Sequence, residues 1–322
     1  MRFSFDAYVT DVLFTAGRAA FALGDGTLAW ESGERAEAHD GVILCAAPHP
    51  SGEGLITGGD DGRVVVSDPE GGHELADIGG RWIDALATSP ESGLLAFAAA
   101  REVHVRDLKD PGFARCFAHD RSVAGLAFDA KGRRLAAATY GGVALWYGRI
   151  ADQKPVMLRW AGSHIGVVFS PDGRFVISSM QEAALHGWRV ADAKDMRMGG
   201  YPSKVRSLAF LENGLWLATS GAPGVVLWPF AGAQGPMGKQ ATEIGMDESA
   251  MVVRVAGSAK DRVLAAGLDD GRVWACDLKS ERIEIIKAEK GPAITALAVL
   301  GREKLAWGDE AGAAGVEAFP TM

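Results

Sequence analysis

Short apolar runs separated by glycine-bearing turns dominate the chain. "FSPDGRFVIS", Phe169 to Ser178, places an Asp-Gly turn between two apolar flanks. Alone, Asp172 could be read as a functional acid. It has relatives, however. "LATSPESGLLAFAAA" starts at Leu86, "LAFDAKGRRLAAAT" at Leu126, "LAFLENGLWLATS" at Leu208 and "CAAPHPSGEGLITGG" at Cys45. "VAGSAKDRVLAAG" starts at Val255, "LAVLGREKLAWGD" at Leu297, and a shortened form, "VLFTAGRAAFALGDG", at Val12. The counterparts of Asp172 are Ser92, Lys131, Asn213 and Lys260, which share no chemistry. What persists is a turn with apolar flanks.

Each relative is followed by a second turn and another apolar run, such as "DDGRVVVSD", "YGGVALW" or "DDGRVWACD". One apolar position in that run recurs at Leu28, Val64, Val103, Val143, Leu185, Val226, Val273 and Val316, at spacings of 36, 39, 40, 42, 41, 47 and 43 residues. The runs are rich in β-branched and aromatic residues and alternate as strands do. A fourth apolar segment, for example "HELADIG", "KPVMLRW" or "RIEIIKA", lies between repeats. Four short strands in a period near 40 predict an all-β fold of four-stranded antiparallel blades. The whole chain, 1–322, reads as one such domain. Eight markers favour eight blades, with seven, and a degenerate first repeat, as the runner-up. The N-terminal "MRFSFDAYV" has no partner in its own repeat, and the last repeat lacks a fourth strand. Arg2 to Ala7 is therefore expected to complete the blade built from about Ala293 to Phe319 and to close the ring, since open sheet edges are a liability.

At "FSPDG", the "LAFxxxGxxLA" strand pairs and the Leu145-Trp146 and Leu227-Trp228 dipeptides, the chain resembles the WD-repeat β-propeller family. The resemblance implies a hydrogen-bonded network of His, Ser or Thr, Asp and Trp in each blade. His39, Thr57 and Asp61 match three of these positions in the second repeat, with Ser67 where the Trp would stand. His119 and Trp146 match in the fourth, where Ala137 and Gly141 replace the middle pair. Ser178 and Trp188 match in the fifth, with Glu182 near the acid position. The resemblance also implies a recognition face formed by the loops before the first strand and between the second and third. Those positions hold Arg81, Trp82, Arg121, His164, Lys204 and Arg254 in the first set, and Asp60, Arg101, Tyr140, Gln181 and Asp269 in the second.

Composition narrows the function. Net charge is -8 with no basic tract, so nucleic acid is not the expected partner. Three cysteines, Cys45, Cys116 and Cys276, are far apart and form no C-x-x-C, so neither a disulfide framework nor a zinc knuckle is expected. The N-terminus lacks a signal peptide's apolar core, and no apolar run reaches membrane-span length. A cytoplasmic monomer without membrane contact is expected. Asp60-Asp61-Gly62 and Asp269-Asp270-Gly271 read as hairpin turns rather than paired catalytic acids. No calcium loop, phosphate loop or G-x-S-x-G occurs. The expectation is no enzyme, no catalytic residue, no cofactor and no metal, but a scaffold that binds a protein or peptide. The alternative is an enzymatic, metal-binding or small-ligand propeller using loops around the central channel, with Asp60 and Asp269 converging. A narrower variant, which no residue singles out, makes the chain an accessory of a metal-handling GTPase system. The segment Pro229 to Ala250 accounts for the longest spacing and reads as an exposed connection.

Overall fold

The structure is a computed structural model and describes residues 1–321. Its strands are antiparallel throughout and form seven hydrogen-bonded sheets, six of four strands and one of six. Contacts divide the chain into two compact bodies, residues 1–23 with 199–322, and residues 24–198.

The four-strand repeat is most regular in the second body. Ile83–Ser89, Leu94–Ala99, Glu102–Asp107 and Asp110–Ala118 pair in chain order. The second strand is buried at every residue, while the fourth, Asp110–Ala118, is largely exposed. This explains why the second strands read as continuous apolar runs. They are covered on both faces, whereas outer strands meet water on one. Leu94, Phe97, Val103, Val105 and Leu135 are fully buried, each contributing about 1.5–3 kcal/mol of transfer free energy.

The expected eight separate blades are corrected to seven sheets. The fourth and fifth repeats share one six-stranded sheet because Val156–Phe169 is a single strand. Its first half pairs with Gly142 to Leu145, and its second half with Val176 to Met180. Tyr140 pairs with Ser163 between the halves, across a register shift between Tyr140 and Gly142. Arg134–Tyr147 folds back around Tyr140-Gly141-Gly142, and the Gly148 N–H reaches the Arg133 carbonyl at 3.0 Å.

In the first body, Arg2–Ser4 pairs with Ala313–Ala318 at the edge of the sheet that also holds Lys304–Asp309 and Ile294–Leu300. The N-terminal strand thus supplies the fourth strand that the last repeat lacks. Phe3 and Phe5 both lie against Phe21, with ring centroids at 5.4 and 5.5 Å.

Seven first strands carry a register shift at the same place, after Val9, Ile43, Ile83, Val123, His164, Val252 and Ile294. A bulge bends a strand and increases its twist. The residue before it is buried in all seven.

The second turn of a repeat lies under the segment leading to the next. At Gly62, φ is +85° and an added Cβ would fall 2.6 Å from the Gly80 nitrogen. At Gly312, φ is +87° and a Cβ would fall 2.3 Å from the Phe5 carbonyl oxygen. Gly26 and Gly271 are equally enclosed by backbone. The Ile78 N–H donates to the Gly62 carbonyl at 2.9 Å, and the Phe5 N–H to Gly312 at 2.9 Å. Gly52 has a similar φ of +84° but open space around it. Gly62→Ala therefore should destabilise by about 2–4 kcal/mol, combining strain with a backbone clash, and Gly52→Ala by about 1 kcal/mol from strain alone. Urea unfolding of the two variants compares them directly.

Candidate functional site

The polar side chains singled out at His39, Thr57, Asp61, His119 and Trp146 lie in hydrogen-bonded groups. The His39 ring has Asp61 Oδ1 3.0 Å from Nδ1 and Thr57 Oγ1 2.9 Å from Nε2. With Nδ1 protonated toward the carboxylate, Nε2 accepts the Thr57 hydroxyl. Burial alone would raise the Asp61 pKa, but the Arg63 N–H, His39 and the Asp40 N–H outweigh it and hold the carboxyl below its ordinary range. Trp146 Nε1–H donates to His119 Nε2 at 3.0 Å, and His119 Nδ1–H to the Phe117 carbonyl at 3.1 Å. Burial pushes the His119 pKa down, against the opposing pull of the Phe117 and Arg101 backbone.

A third network escapes a sequence search for histidine. Trp228 Nε1–H donates to Tyr201 Oη at 2.6 Å, Tyr201 O–H to Thr219 Oγ1 at 2.7 Å, and Thr219 O–H to the Val226 carbonyl at 3.1 Å. Tyr201 stands four residues before Val205, as His39 does before Ile43 and His119 before Val123. That offset is the signal that finds it.

His164 is corrected from loop contact to interior residue. It is 1% exposed, in the pre-bulge position that other repeats fill with Val or Ile. Ser178 Oγ lies 2.7 Å from its Nδ1, and its Nε2–H reaches the Trp160 carbonyl at 3.1 Å. Arg254 likewise lies in a strand, Val252–Gly257, rather than a loop. It is half-buried, and its guanidinium donates to the Thr295 and Val253 carbonyls at 2.6 and 3.0 Å. Its charge acts on Asp11, whose carboxyl burial pushes up to about 6 against the Val12 N–H and Arg254. Asp60 and Asp269 are loop fasteners. Their Oδ1 atoms accept the Val42 and Met251 N–H groups, each at 2.9 Å. Asp172 closes its own turn, accepting from Ser170 Oγ at 2.7 Å and the Arg174 N–H at 2.9 Å.

The remaining loop candidates of the second body share one edge. Arg81 pairs with Glu102 at 2.8 Å. The Arg101 carbonyl accepts the His119 N–H at 2.9 Å, and the Ala100 carbonyl the Val123 N–H at 2.8 Å. Val123 pairs with Thr139, Tyr140 with Ser163, and the Gln181 N–H donates to the Ser163 carbonyl at 2.9 Å. Arg81, Arg101, Arg121 and Gln181 are exposed, as are Trp82 at 63% and Tyr140 at 64%. Beside them a cleft of about 440 Å³ is lined by His119, Arg121, Tyr140, Trp146 and Arg159. Arg159 was not evident from sequence, because it ends the fourth apolar segment rather than a loop. In the first body, Lys204 is half-buried, and Tyr201, Trp228 and Met246 line a cleft of about 460 Å³ that does not include it. The connection from Pro229 to Ala250 contributes Lys239, Gln240 and Met246 to that cleft and holds the strand Thr242–Ile244.

Known proteins give the following likenesses. Residues 33–68 match the family model described as WD domain, G-beta repeat. Pre-mRNA-processing factor 19 of Oryza sativa subsp. japonica is 25% identical over 197 residues, which are 58% of this chain and 37% of that protein. The chain therefore spans little more than a third of that relative's length. Among solved structures, the computationally designed Ika8 protein superposes with a TM-score of 0.78 at 19% identity, over 98% of this chain and 97% of that one. The Cps50 (Swd1) β-propeller domain of Myceliophteria thermophila gives 0.68 at 17% identity, over 86% and 97%. At these identities the structural likeness speaks for the fold, a β-propeller.

The Tyr201 hydroxyl is the link in its network on which buried Thr219 and half-buried Trp228 depend. Tyr201→Phe should cost about 1–3 kcal/mol, the price of leaving the Trp228 N–H and Thr219 without it. Thermal or urea unfolding measures the loss, and indole fluorescence should report the change at Trp228.

Proposed function

Since the chain belongs to the WD-repeat β-propeller family, we propose that it is a non-enzymatic scaffold holding a protein or peptide partner on a loop face. The observation that carries this reading is the edge of the second body, where Trp82 and Tyr140 are exposed among Arg81, Arg101 and Arg121. Trp, Tyr and Arg are the side chains that most often dominate binding energy. The edge is held by backbone hydrogen bonds, so a partner would meet a surface already ordered, with little further entropy lost. The cleft beside Tyr140 offers a pocket for one inserted side chain.

The charge pattern suits a partner with acidic groups flanking an apolar or aromatic one. Arg81 is engaged by Glu102, whereas no ion pair to Arg101 or Arg121 occurs among the described residues. The reading includes a cytoplasmic site of action and a monomer. It is in keeping with three unpaired cysteines, and no helix is long and apolar enough to cross a membrane.

Affinity purification from native cells, run in parallel with the wild type and a variant carrying Arg81→Ala, Trp82→Ala and Arg121→Ala, tests the proposal. A stoichiometric partner of the wild type should be lost by the variant, with at least about a tenfold fall in affinity for two hot-spot side chains. The melting temperature should be little changed, because all three side chains are exposed. Retention of the partner at unchanged affinity would contradict the assignment of the face.

A further inference from the structure

Adjoining the loop edge, two outer strands of the third repeat bring together a carboxylate, an imidazole and a thiol. Glu102 and His104 are two residues apart on Glu102–Asp107, so their side chains share a face. Cys116, on Asp110–Ala118, is the direct cross-strand partner of His104. The donor atoms of all three lie within 4.8 Å of one another. His104 Nε2 is buried and has no hydrogen-bond partner among the described residues, with Glu102 Oε2 standing at 3.6 Å. Native chains rarely leave a buried polar atom unpaired without a use for it. The imidazole lies almost flat against Phe97, with ring centroids 5.1 Å apart and planes 15° from parallel, which fixes its direction.

We propose that Glu102, His104 and Cys116 form a three-ligand site for Zn²⁺ or a similar borderline divalent cation, with a fourth position open to solvent. The mixed O, N and S donor set suits Zn²⁺ and is wrong for Ca²⁺ or Mg²⁺, which take oxygen. Metal–ligand bonds of about 2.0–2.3 Å place tetrahedral donors about 3–4 Å apart. The three donors therefore need to close by only about an ångström or two, which rotation of the Glu102 and Cys116 side chains at the surface supplies. On binding, the thiol gives its proton to solvent and the thiolate takes the metal. Glu102 exchanges the Arg81 guanidinium, now 2.8 Å away, for the ion. Arg106, next on the same face, has its guanidinium over the Phe97 ring at 5.9 Å. Because Arg81 competes for Glu102, occupation of the site is linked to the Arg81-Trp82 loop.

Titration of the untagged full chain with Co²⁺, a spectroscopic substitute for Zn²⁺, tests this. The expected result is a near-ultraviolet sulfur-to-cobalt band that saturates at one ion per chain and disappears on adding Zn²⁺. Cys116→Ser and His104→Ala should abolish it. Cys45→Ser with Cys276→Ser should leave it intact, and Arg81→Ala should tighten binding severalfold. Cys116 is exposed, so Cys116→Ser decides the matter even if His104→Ala fails to fold. Absence of the band in the wild type, its survival in Cys116→Ser, or unchanged affinity in Arg81→Ala would overturn the proposal.

Discussion

The constraint on which the structure rests is the lack of room above the second turn in the repeats that carry Gly26, Gly62, Gly271 and Gly312. The chain leaves the fourth strand and crosses that turn on its way to the next first strand. At Gly62 and Gly312 the crossing backbone comes so close that no side chain fits. One element thus ends a hairpin, receives a hydrogen bond from the crossing segment and fixes where the next repeat begins. The N-terminal strand obeys the same rule. Phe5 crosses Gly312 after Arg2–Ser4 has taken the fourth-strand place in the last sheet, so the seam is built like any other junction.

Polar networks add to this frame without being uniform. His39 with Thr57 and Asp61, His119 with Trp146, and Tyr201 with Thr219 and Trp228 use different chemistry at equivalent places. Each satisfies a buried donor or acceptor between the crossing segment and the strands beneath it. The second strands are buried throughout in several repeats. The polar positions vary in residue type while their place in the repeat is kept.

Much of this was legible beforehand. Alternation and turn chemistry repeat at a short period, so the four-stranded antiparallel repeat and the N-terminal closing strand followed from local pattern. The sheet count did not, because continuity through Val156–Phe169 depends on the Tyr140–Ser163 pairing, a contact between residues far apart in sequence. His164 misled because polar identity suggests a loop, whereas its register places it in a slot normally filled by Val or Ile. Asp60 and Asp269 read as turn acids and recognition-face candidates; the backbone N–H groups they accept from lie 18 residues away in sequence and are set by the fold. Tyr201 hid because its residue type differs while its offset is kept. The Glu102, His104 and Cys116 cluster needs cross-strand register, which no single strand reveals.

Hydrogen exchange tests the central claim most directly, that the crossing segments are locked by the turns beneath them. The amides of Phe5, Ile78, His119 and Gly291 lie outside regular strands, yet each donates to a turn carbonyl. The account predicts protection close to that of buried strand amides such as Phe97, because opening these bonds requires the junction itself to open. Exchange at the rate of the exposed loop around Gly52 would contradict it.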